Sequence, residues 1–281
     1  MRRVLLTGGS GFIGRNIIPI LAAECELYAP TRNELNLKDQ LQVKSYLERN
    51  QFDCVIHSAN PNPVKNVLDQ ADTMFEDSLR VFMNLYNCRH LYGKMFFLGS
   101  GAEYDKRFDV KLADEACVGR TLPEDGYGLA KIIMNDLAKA SDNVFNLRIF
   151  ACFGPTDHES KFITHVIRCC MEQKDITIRQ NCYFDYMHVS DLGHILLKCL
   201  DTNLKYHDYN VCTAQRHSLL EIAEIVKEEM KASSEIKILN DGMNKEYTGS
   251  NKRLLNEIGE YEFLDLRKGI QLQIESEKHL K

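Results

Sequence analysis

The stretch Val4-Leu5-Leu6-Thr7-Gly8-Gly9-Ser10-Gly11-Phe12-Ile13-Gly14 decides the fold. Its apolar start predicts a buried strand, its glycines predict a tight turn, and an amphipathic helical pattern follows. Glycines at this spacing permit the turn, let a pyrophosphate approach the backbone, and let the helix pack closely on the sheet. Amide groups at the start of that helix attract phosphate. The stretch therefore predicts a dinucleotide-binding loop, with cofactor contacts from Gly8, Gly11, Phe12, Ile13 and Gly14.

The first half of the chain alternates short apolar runs with longer helical patterns. Strands are predicted at 4–7, 27–29, 54–58, 95–98 and 144–150, with helices near 11–24, 39–50, 73–92 and 127–140. Alternation of this kind predicts a parallel sheet with helices on both faces. The predicted fold class is α/β, with a Rossmann-type doubly wound parallel sheet.

After residue 150 the alternation of strand and helix patterns becomes less regular. It predicts a helix over 160–173, a strand at 176–178, a further apolar run at 183–189 and a helix from Ser190. The capping box of Ser218 and Glu221 predicts a helix to about residue 231, and the tail from Lys252 predicts one or two more. We therefore expect residues 1–150 to form the dinucleotide-binding domain, which also carries the catalytic groups. Residues 151–281 are expected to form a smaller α/β lobe that mainly binds substrate and is interleaved with the first domain.

Composition narrows the function classes. The chain has 281 residues, 44% hydrophobic and 27% charged, with a net charge of −5, which disfavours both disorder and generic attraction to nucleic acid. No apolar stretch approaches the length of a membrane span, and the apolar run after Met1 is too short for a signal peptide. Ten scattered cysteines without a Cys-x-x-Cys pair indicate buried thiols in a reducing compartment. We expect a cytoplasmic protein.

The end of the second strand bears on cofactor choice. An acidic residue there would bind the ribose hydroxyl of NAD, whereas an arginine would meet the 2′-phosphate of NADP. The sequence continues Ala29-Pro30-Thr31-Arg32-Asn33-Glu34, which places Arg32 for a phosphate and favours NADP. The alternative, in which Arg32 is a solvated loop charge and Glu34 takes the ribose, remains open.

Three further residues suggest proton-transfer chemistry. Tyr127 and Lys131 are four residues apart and would share one face of a helix. A nearby cation favours a phenolate, so we expect Lys131 to bring the Tyr127 pKa down towards neutral pH. Ser100 follows a predicted strand at the sheet edge where open α/β proteins bind ligands, and its hydroxyl would hold a carbonyl group beside Tyr127. The alternatives are an ordinary surface pair and a serine cap.

Taken together and in order, these motifs resemble the extended short-chain dehydrogenases/reductases, the NAD(P)-dependent epimerase/dehydratase family of nucleotide-sugar enzymes. The matching pieces are residues 7–14, 55–59, 98–100 with Tyr104, Tyr127 with Lys131, 153–155 and 184–191. The resemblance implies a Rossmann domain, a Ser100/Tyr127/Lys131 catalytic set and a C-terminal lobe that binds a nucleoside-diphosphate sugar. It also implies cofactor contacts from Asn36, Ser58, Ala59, Tyr127 and Lys131.

Within the family, residues 31–37, 98–100 and 165–167 are most similar to the GDP-L-fucose synthase branch. This similarity implies an acid/base role for His165, with the alternative that it is a helix residue near nothing reactive. That branch needs a cysteine where this chain has Ala102, so we expect keto reduction to be kept and epimerisation to be weakened or lost. Ala151 and Phe184 replace an asparagine and an arginine of many relatives. Arg179 is then a candidate substrate phosphate contact, or a solvated charge.

The resulting hypothesis is an NADPH-dependent reductase for the C4 keto group of a nucleoside-diphosphate 4-keto-6-deoxy sugar, serving surface-glycan precursor synthesis. One alternative is a 4-epimerase with tightly held NAD, and another is a non-catalytic NADP-binding sensor or scaffold. Neither the histidine nor the cysteine spacing is that of metal ligands, so no metal is expected. The resemblance implies that the helices predicted at 73–92 and 127–140 pair across a dimer, and we expect a homodimer; the alternative is that they simply pack onto the sheet.

Overall fold

The computed structural model of the protein describes residues 1–61 and 71–279. The strands are β1 (Arg2–Thr7), β2 (Cys25–Tyr28), β3 (Cys54–His57), β4 (Lys94–Ser100), β5 (Val110–Ala113), β6 (Val144–Ile149), β7 (Ala151–Phe153), β8 (Ile176–Asn181), β9 (Tyr183–Phe184), β10 (Tyr186–His188), β11 (Asp208–Val211), β12 (His217–Ser218), β13 (Ile236–Met243) and β14 (Tyr247–Gly249). The helices are α1 (Phe12–Glu24), α2 (Gln40–Asn50), α3 (Ala71–Tyr86), α4 (Gly126–Lys139), α5 (Phe162–Met171), α6 (Val189–Asp201), α7 (Leu219–Met230), α8 (Lys252–Ile258) and α9 (Leu266–His279).

The central sheet has six strands in the order β11-β6-β4-β3-β1-β2, and every neighbouring pair is parallel. Five of the strands are those predicted from the first half, and the sixth, β11, comes from the second half. The segment Met95–Leu98 within β4 is buried at every position, as the unbroken apolar run predicts for a strand covered on both faces.

Helices cover both faces of this sheet. On one face, α1 and α6 pack their apolar stripes against the strands, with Ile17, Leu21 and Leu196 fully buried. On the other face, α2, α3 and α4 contribute residues such as Leu47 and Phe82 to a second core cluster. The doubly wound α/β architecture is confirmed. The helix predicted near 73–92 ends earlier, at Tyr86, and a 3₁₀ turn follows at Arg89–Leu91.

The second half builds smaller sheets beside the central one. In one of these β9 lies between β12 and β14, and β5 from the first half pairs with β14. Helices α5, α7 and α9 pack around a third core cluster beneath β8. The two halves thus exchange strands, since β11 enters the central sheet and β5 leaves it. A domain boundary at residue 150 stays a prediction. None of the described helices has the length and apolarity needed to cross a membrane.

Candidate active site

The glycine turn joins β1 to α1 at the carboxyl edge of the central sheet. Gly8 has a φ of +77°, and a Cβ atom there would lie 2.7 Å from the Ala59 backbone nitrogen. A Cβ on Gly14 would lie 2.2 Å from the Gly8 carbonyl oxygen. Helix α1 begins after Gly11, which offers no side-chain cap to its first amides. The turn is therefore a backbone cradle at an uncapped helix start, and it fits the diphosphate of a dinucleotide.

The end of β3 lies against this turn. Ser58 N donates to Thr7 O at 3.2 Å, and Ala59 N lies 3.4 Å from Thr7 Oγ1. Phe12 and Ile13 are half-buried at the start of α1 and pack on the first core cluster. The structure thus brings four of the predicted cofactor residues, Phe12, Ile13, Ser58 and Ala59, next to the glycine turn, and their contact with a cofactor stays a prediction.

In the segment after β2, the acidic residue Glu34 and the basic residue Arg32 have different surroundings. The Glu34 carboxylate accepts hydrogen bonds from Thr31 N at 2.7 Å and Thr31 Oγ1 at 2.9 Å, and these bonds lower its pKa. Arg32 is exposed and makes no ion pair with any described residue. Asn36 Oδ1 accepts from Lys38 N at 3.1 Å and so closes the next turn. Glu34 is thus occupied within its own turn, while Arg32 projects at the strand tip.

The structure brings Ser100, Tyr127 and Lys131 together at the carboxyl end of β4. The Ser100 hydroxyl lies close enough to the Tyr127 phenol to lower its pKa. Lys131 lies one turn further along α4, with its Nζ 5.6 Å from the centre of the Tyr127 ring and donating to Leu98 O at 2.8 Å. Helix α4 starts at this place because its N-cap, Asp125, accepts from Gly128 N at 2.9 Å. A hydroxyl, a phenol and an ammonium group therefore converge beside the sheet edge.

Burial dominates the electrostatics of these groups. It raises the pKa of Tyr127 to about 12, and the hydrogen bond from Ser100 offsets only part of this effect. Burial also lowers the pKa of Lys131 to about 8, against the opposing charge of Glu103. The expectation that Lys131 brings the Tyr127 pKa down is wrong, because burial and the nearby carboxylates Glu103 and Asp125 raise that pKa and only Ser100 lowers it. At neutral pH Tyr127 holds its proton.

Glu103 is a site residue that the sequence analysis missed. Its carboxylate is fully buried and accepts from Ser100 N at 3.1 Å, from Arg148 Nε at 2.7 Å and from Asn146 Nδ2. Ser100 and Glu103 form a capping box around a short 3₁₀ turn. The Ser-x-x-Glu spacing is the signal that identifies this turn in the sequence. Glu103 thereby fixes the backbone that carries Ser100.

Two predicted residues lie apart from this cluster. His165 is exposed on α5, and its Nε2 lies 3.6 Å from Cys169 Sγ. Arg179 is exposed on β8. No described contact joins either of them to Ser100 or Tyr127, and their catalytic and phosphate-binding roles stay predictions. Among residues 1–61 and 71–279, no three His, Cys, Asp or Glu side chains are grouped as metal ligands.

A doubly wound sheet, a glycine cradle and an adjacent Ser–Tyr–Lys set together define a nicotinamide-dependent oxidoreductase of the short-chain dehydrogenase type. The chain belongs to the NAD dependent epimerase/dehydratase family, whose model matches residues 4–212. The predicted family and the predicted class of enzyme, an NAD(P)-dependent nucleotide-sugar oxidoreductase or epimerase, are confirmed.

Individual relatives are distant but span most of the chain. GDP-6-deoxy-D-talose 4-dehydrogenase of Aggregatibacter actinomycetemcomitans is 26% identical over 287 residues, covering 94% of each chain. GDP-L-fucose synthase of Azorhizobium caulinodans is 24% identical over 254 residues, covering 80% of each chain. The solved structure of a GDP-mannoheptose C4 reductase from Campylobacter jejuni with NADP bound gives a TM-score of 0.86 at 18% identity, covering 99% of this chain and 98% of that one. The last comparison confirms the fold.

Proposed function

We propose that the protein uses NADPH to reduce the C4 keto group of a nucleoside-diphosphate 4-keto-6-deoxy sugar. The observation that carries this proposal is the convergence of Ser100, Tyr127 and Lys131 next to the glycine cradle. The names of the talose 4-dehydrogenase and the heptose C4 reductase, both describing chemistry at C4, support the choice of carbon.

The residues of the site have distinct tasks in this reaction. Bound NADPH would supply the hydride, with its diphosphate held by the backbone of the glycine turn. Tyr127 donates its proton to the oxygen of the substrate carbonyl as negative charge develops there. Ser100 donates a hydrogen bond to the same oxygen and stabilises that charge. Once Tyr127 has given up its proton it is a phenolate. The Lys131 ammonium group lies close enough to favour its reprotonation.

The protonation state of Tyr127 supports a reductase over an epimerase. Reduction needs a phenol that gives up a proton, whereas the first step of a 4-epimerase oxidises the sugar and needs a phenolate that accepts one. Burial raises the pKa of Tyr127 to about 12, so the resting enzyme has the proton in place for reduction. Ala102 separately leaves no titratable group beside Ser100 for the additional epimerisation of the fucose synthase branch, and it does not bear on a 4-epimerase.

The direct test is a panel assay of the purified protein. GDP-, CDP-, dTDP- and UDP-linked 4-keto-6-deoxy sugars are incubated with NADPH, and both NADPH oxidation and product mass are followed. Turnover of one sugar, with two hydrogen atoms gained, supports the proposal. Protein that purifies with NAD and isomerises a sugar without added NADPH would be an epimerase instead. NADPH binding without turnover of any sugar would indicate a sensor or scaffold.

We expect Arg32→Ala to weaken NADPH binding by about tenfold or more, because one charge-assisted hydrogen bond to the 2′-phosphate is lost. Binding of NADH, which lacks that phosphate, should change by less than about twofold. Fluorescence titration of both cofactors measures the two effects. Arg49→Ala, which removes an exposed arginine near the end of α2, is the control and should leave both affinities unchanged. Equal loss of NADH and NADPH binding would count against NADP preference.

The pH dependence follows from Lys131. Burial lowers the pKa of this lysine to about 8, so the ammonium group of the free enzyme is lost above that pH. Because kcat/KM reports the free enzyme, we expect it to fall as the pH rises through about 8, with the loss of one proton. In Lys131→Arg, whose guanidinium stays charged, this fall should move to higher pH. A wild-type profile that stays flat to about pH 10 would contradict the assignment.

We also propose that the enzyme is a homodimer of the cytoplasm. Free thiols at all ten cysteines fit a reducing compartment. Helices α3 and α4 pack side by side on one face of the sheet, and Phe75 and Leu79 remain partly exposed there. Analytical ultracentrifugation tests the oligomeric state, and a monomer at micromolar concentration would refute the dimer.

A further inference from the structure

A long connecting segment, residues 104–125, separates the turn that carries Ser100 from the helix that carries Tyr127. The chain leaves the Ser100 turn at Tyr104, forms β5, which pairs with β14 from the second half, and returns at Pro123 just before α4. Segments of this kind move more readily than the helices and strands that they join. The distance between the two side chains is therefore only as well fixed as the contacts that hold the two ends of the connecting segment together.

The start of α4 rests directly on the Ser100 turn at Gly128. A Cβ atom on Gly128 would lie 2.5 Å from the Ala102 carbonyl oxygen and 2.7 Å from Pro123 Cβ. The backbone at Gly128 is thus wedged between the Ser100 turn on one side and the returning end of the connecting segment on the other. Since Gly128 follows Tyr127 in the chain, a shift of Pro123 is transmitted to the residue next to Tyr127.

Arg107 binds both ends of the connecting segment. At the departing end its guanidinium forms a forked pair with Asp105, in which Nε lies 2.9 Å from Oδ1 and Nη2 lies 2.6 Å from Oδ2. At the returning end Nη1 donates to Glu124 Oε1 at 2.7 Å and Nη2 donates to Leu122 O at 3.2 Å. These two acceptors flank Pro123. One rigid, planar group therefore joins the two ends, and we call these hydrogen bonds the Arg107 bridge.

The departing end of the Arg107 bridge is the better anchored one. The Asp105 side chain is only 2% exposed, and its Oδ1 also accepts from Arg107 N at 3.1 Å. Hydrogen bonds from the guanidinium lower the pKa of Asp105 to about 2, so the pair is ionised at neutral pH. Glu124 is 72% exposed, and an ion pair in such a place contributes little. The forked pair with Asp105 and the bond to the Leu122 carbonyl group are therefore the main parts of the bridge.

We propose, on the basis of the reduction proposed above, that Arg107 is a positioning residue that fixes the start of α4, and with it Tyr127, relative to Ser100. Arg107 acts through the backbone and supplies no proton, because a guanidinium stays charged at every working pH. The Tyr127 and Ser100 protons have to reach one carbonyl oxygen, and a misplacement of about 1 Å costs up to about a hundredfold in rate. The Arg107 bridge keeps the two donors aligned on that oxygen.

We expect Arg107→Met to lower kcat for keto-sugar reduction by about tenfold, because the start of α4 is no longer tied to the Ser100 turn. KM for the sugar and the affinity for NADPH should each change by less than about threefold, since the bridge aligns reacting groups and does not bind either molecule. Arg107→Lys should be impaired to a similar extent, because an ammonium group keeps the charge but lacks the fork that reaches both ends. Steady-state NADPH oxidation measures these effects.

Arg120→Met is the matched control, since it makes the same change at an exposed position of the connecting segment and should keep the kcat of the wild type. A higher KM at unchanged kcat in Arg107→Met would overturn the proposal, because it would mark a charge that attracts the substrate. Full activity of Arg107→Lys would overturn it for the same reason. If Arg107→Met folds poorly, Asp105→Asn combined with Arg107→Met removes the carboxylate left without its cation and should show the same fall in kcat.

Amide hydrogen exchange tests the Arg107 bridge without any substrate. In Arg107→Met we expect exchange to become several-fold faster over residues 122–131, which include the first turns of α4, and to stay unchanged in α1. Unchanged exchange over residues 122–131 would overturn the proposal whatever the activity. A wild-type enzyme that reduces no keto sugar would refute the proposed function, while the exchange measurement would still decide whether Arg107 fixes the start of α4. The two failures are therefore distinguishable.

Discussion

Replacing Tyr127 by phenylalanine is expected to lower kcat for keto-sugar reduction by about a thousandfold, within the usual range for loss of a general acid. The phenol is the proton donor that lies within hydrogen-bond reach of Ser100, and burial keeps it protonated. Phenylalanine preserves the ring that packs near Lys131 and removes the hydroxyl group that carries the proton. Steady-state NADPH oxidation with the best sugar of the panel measures the effect.

NADPH binding by this variant should stay within about twofold of the wild type, because the glycine cradle and Arg32 are untouched. Tyr206→Phe, which alters a half-exposed tyrosine just before β11, is the control for loss of a phenol and should be fully active. If Tyr127→Phe kept more than about a tenth of wild-type kcat, another group would have to supply the proton. Parallel loss of NADPH binding would place the tyrosine in the cofactor site rather than in the chemistry.

The central sheet was predictable because its strands follow local rules. The segment Met95–Leu98 is apolar at every position and is buried on both faces, and the glycine spacing after β1 demands one kind of turn. Strand β11 was not predicted, since Asp208 and Asn210 give it the composition of a loop. Both side chains are nevertheless buried, because Arg148 pairs with them across the sheet. That partnership depends on tertiary structure and leaves no local signal.

In the site, too, some features follow from local sequence and others depend on tertiary structure. Ser100 follows a strand, and Tyr127 and Lys131 share a helix face, so spacing made them candidates and the family resemblance joined them into a catalytic set. The pKa of Tyr127 was not predictable, because desolvation depends on the residues that close over the phenol. Tyr247 reaches Gly101, the residue after Ser100, only through the pairing of β14 with β5 and β9, a contact between distant parts of the chain. His165 and Arg179 were selected by similarity and composition, and the structure gives each an exposed position.

Behind Ser100 lies a buried ionic cluster that links the catalytic turn to the sheet. We define it as Glu103, Arg148, Asp208, Asn135 and Asn210. Arg148 is fully buried and donates to Glu103 Oε2 at 2.7 Å, Asn210 Oδ1 at 3.1 Å, Asn135 Oδ1 at 3.2 Å and Asp208 Oδ2 at 3.2 Å. Since Glu103 also accepts from Ser100 N, the guanidinium holds the serine backbone through one carboxylate. The cluster therefore couples the stability of the fold to the geometry of the site.

Arg148→Met is expected to lower the free energy of unfolding by about 3–5 kcal/mol, the usual cost of removing one partner from a buried ion pair. Methionine is close in volume but cannot compensate the Glu103 carboxylate, which stays buried with amide partners alone. The Asp208 carboxylate keeps a cationic partner in this variant, because Arg253 Nη1 still donates to its Oδ1 at 2.7 Å. Urea unfolding followed by circular dichroism, with and without NADPH, measures the loss.

Arg179→Met is the matched control, since it makes the same change at an exposed position of β8 and should alter stability by less than about 0.5 kcal/mol. Equal stability of Arg148→Met and Arg179→Met would show that the buried cluster contributes nothing net to folding. Glu103→Gln tests whether the uncompensated carboxylate causes the loss of stability in Arg148→Met. It removes that charge while keeping an acceptor for Ser100 N. Combined with Arg148→Met, it should recover part of the lost stability, since the two changes act on one ion pair and their costs are not additive.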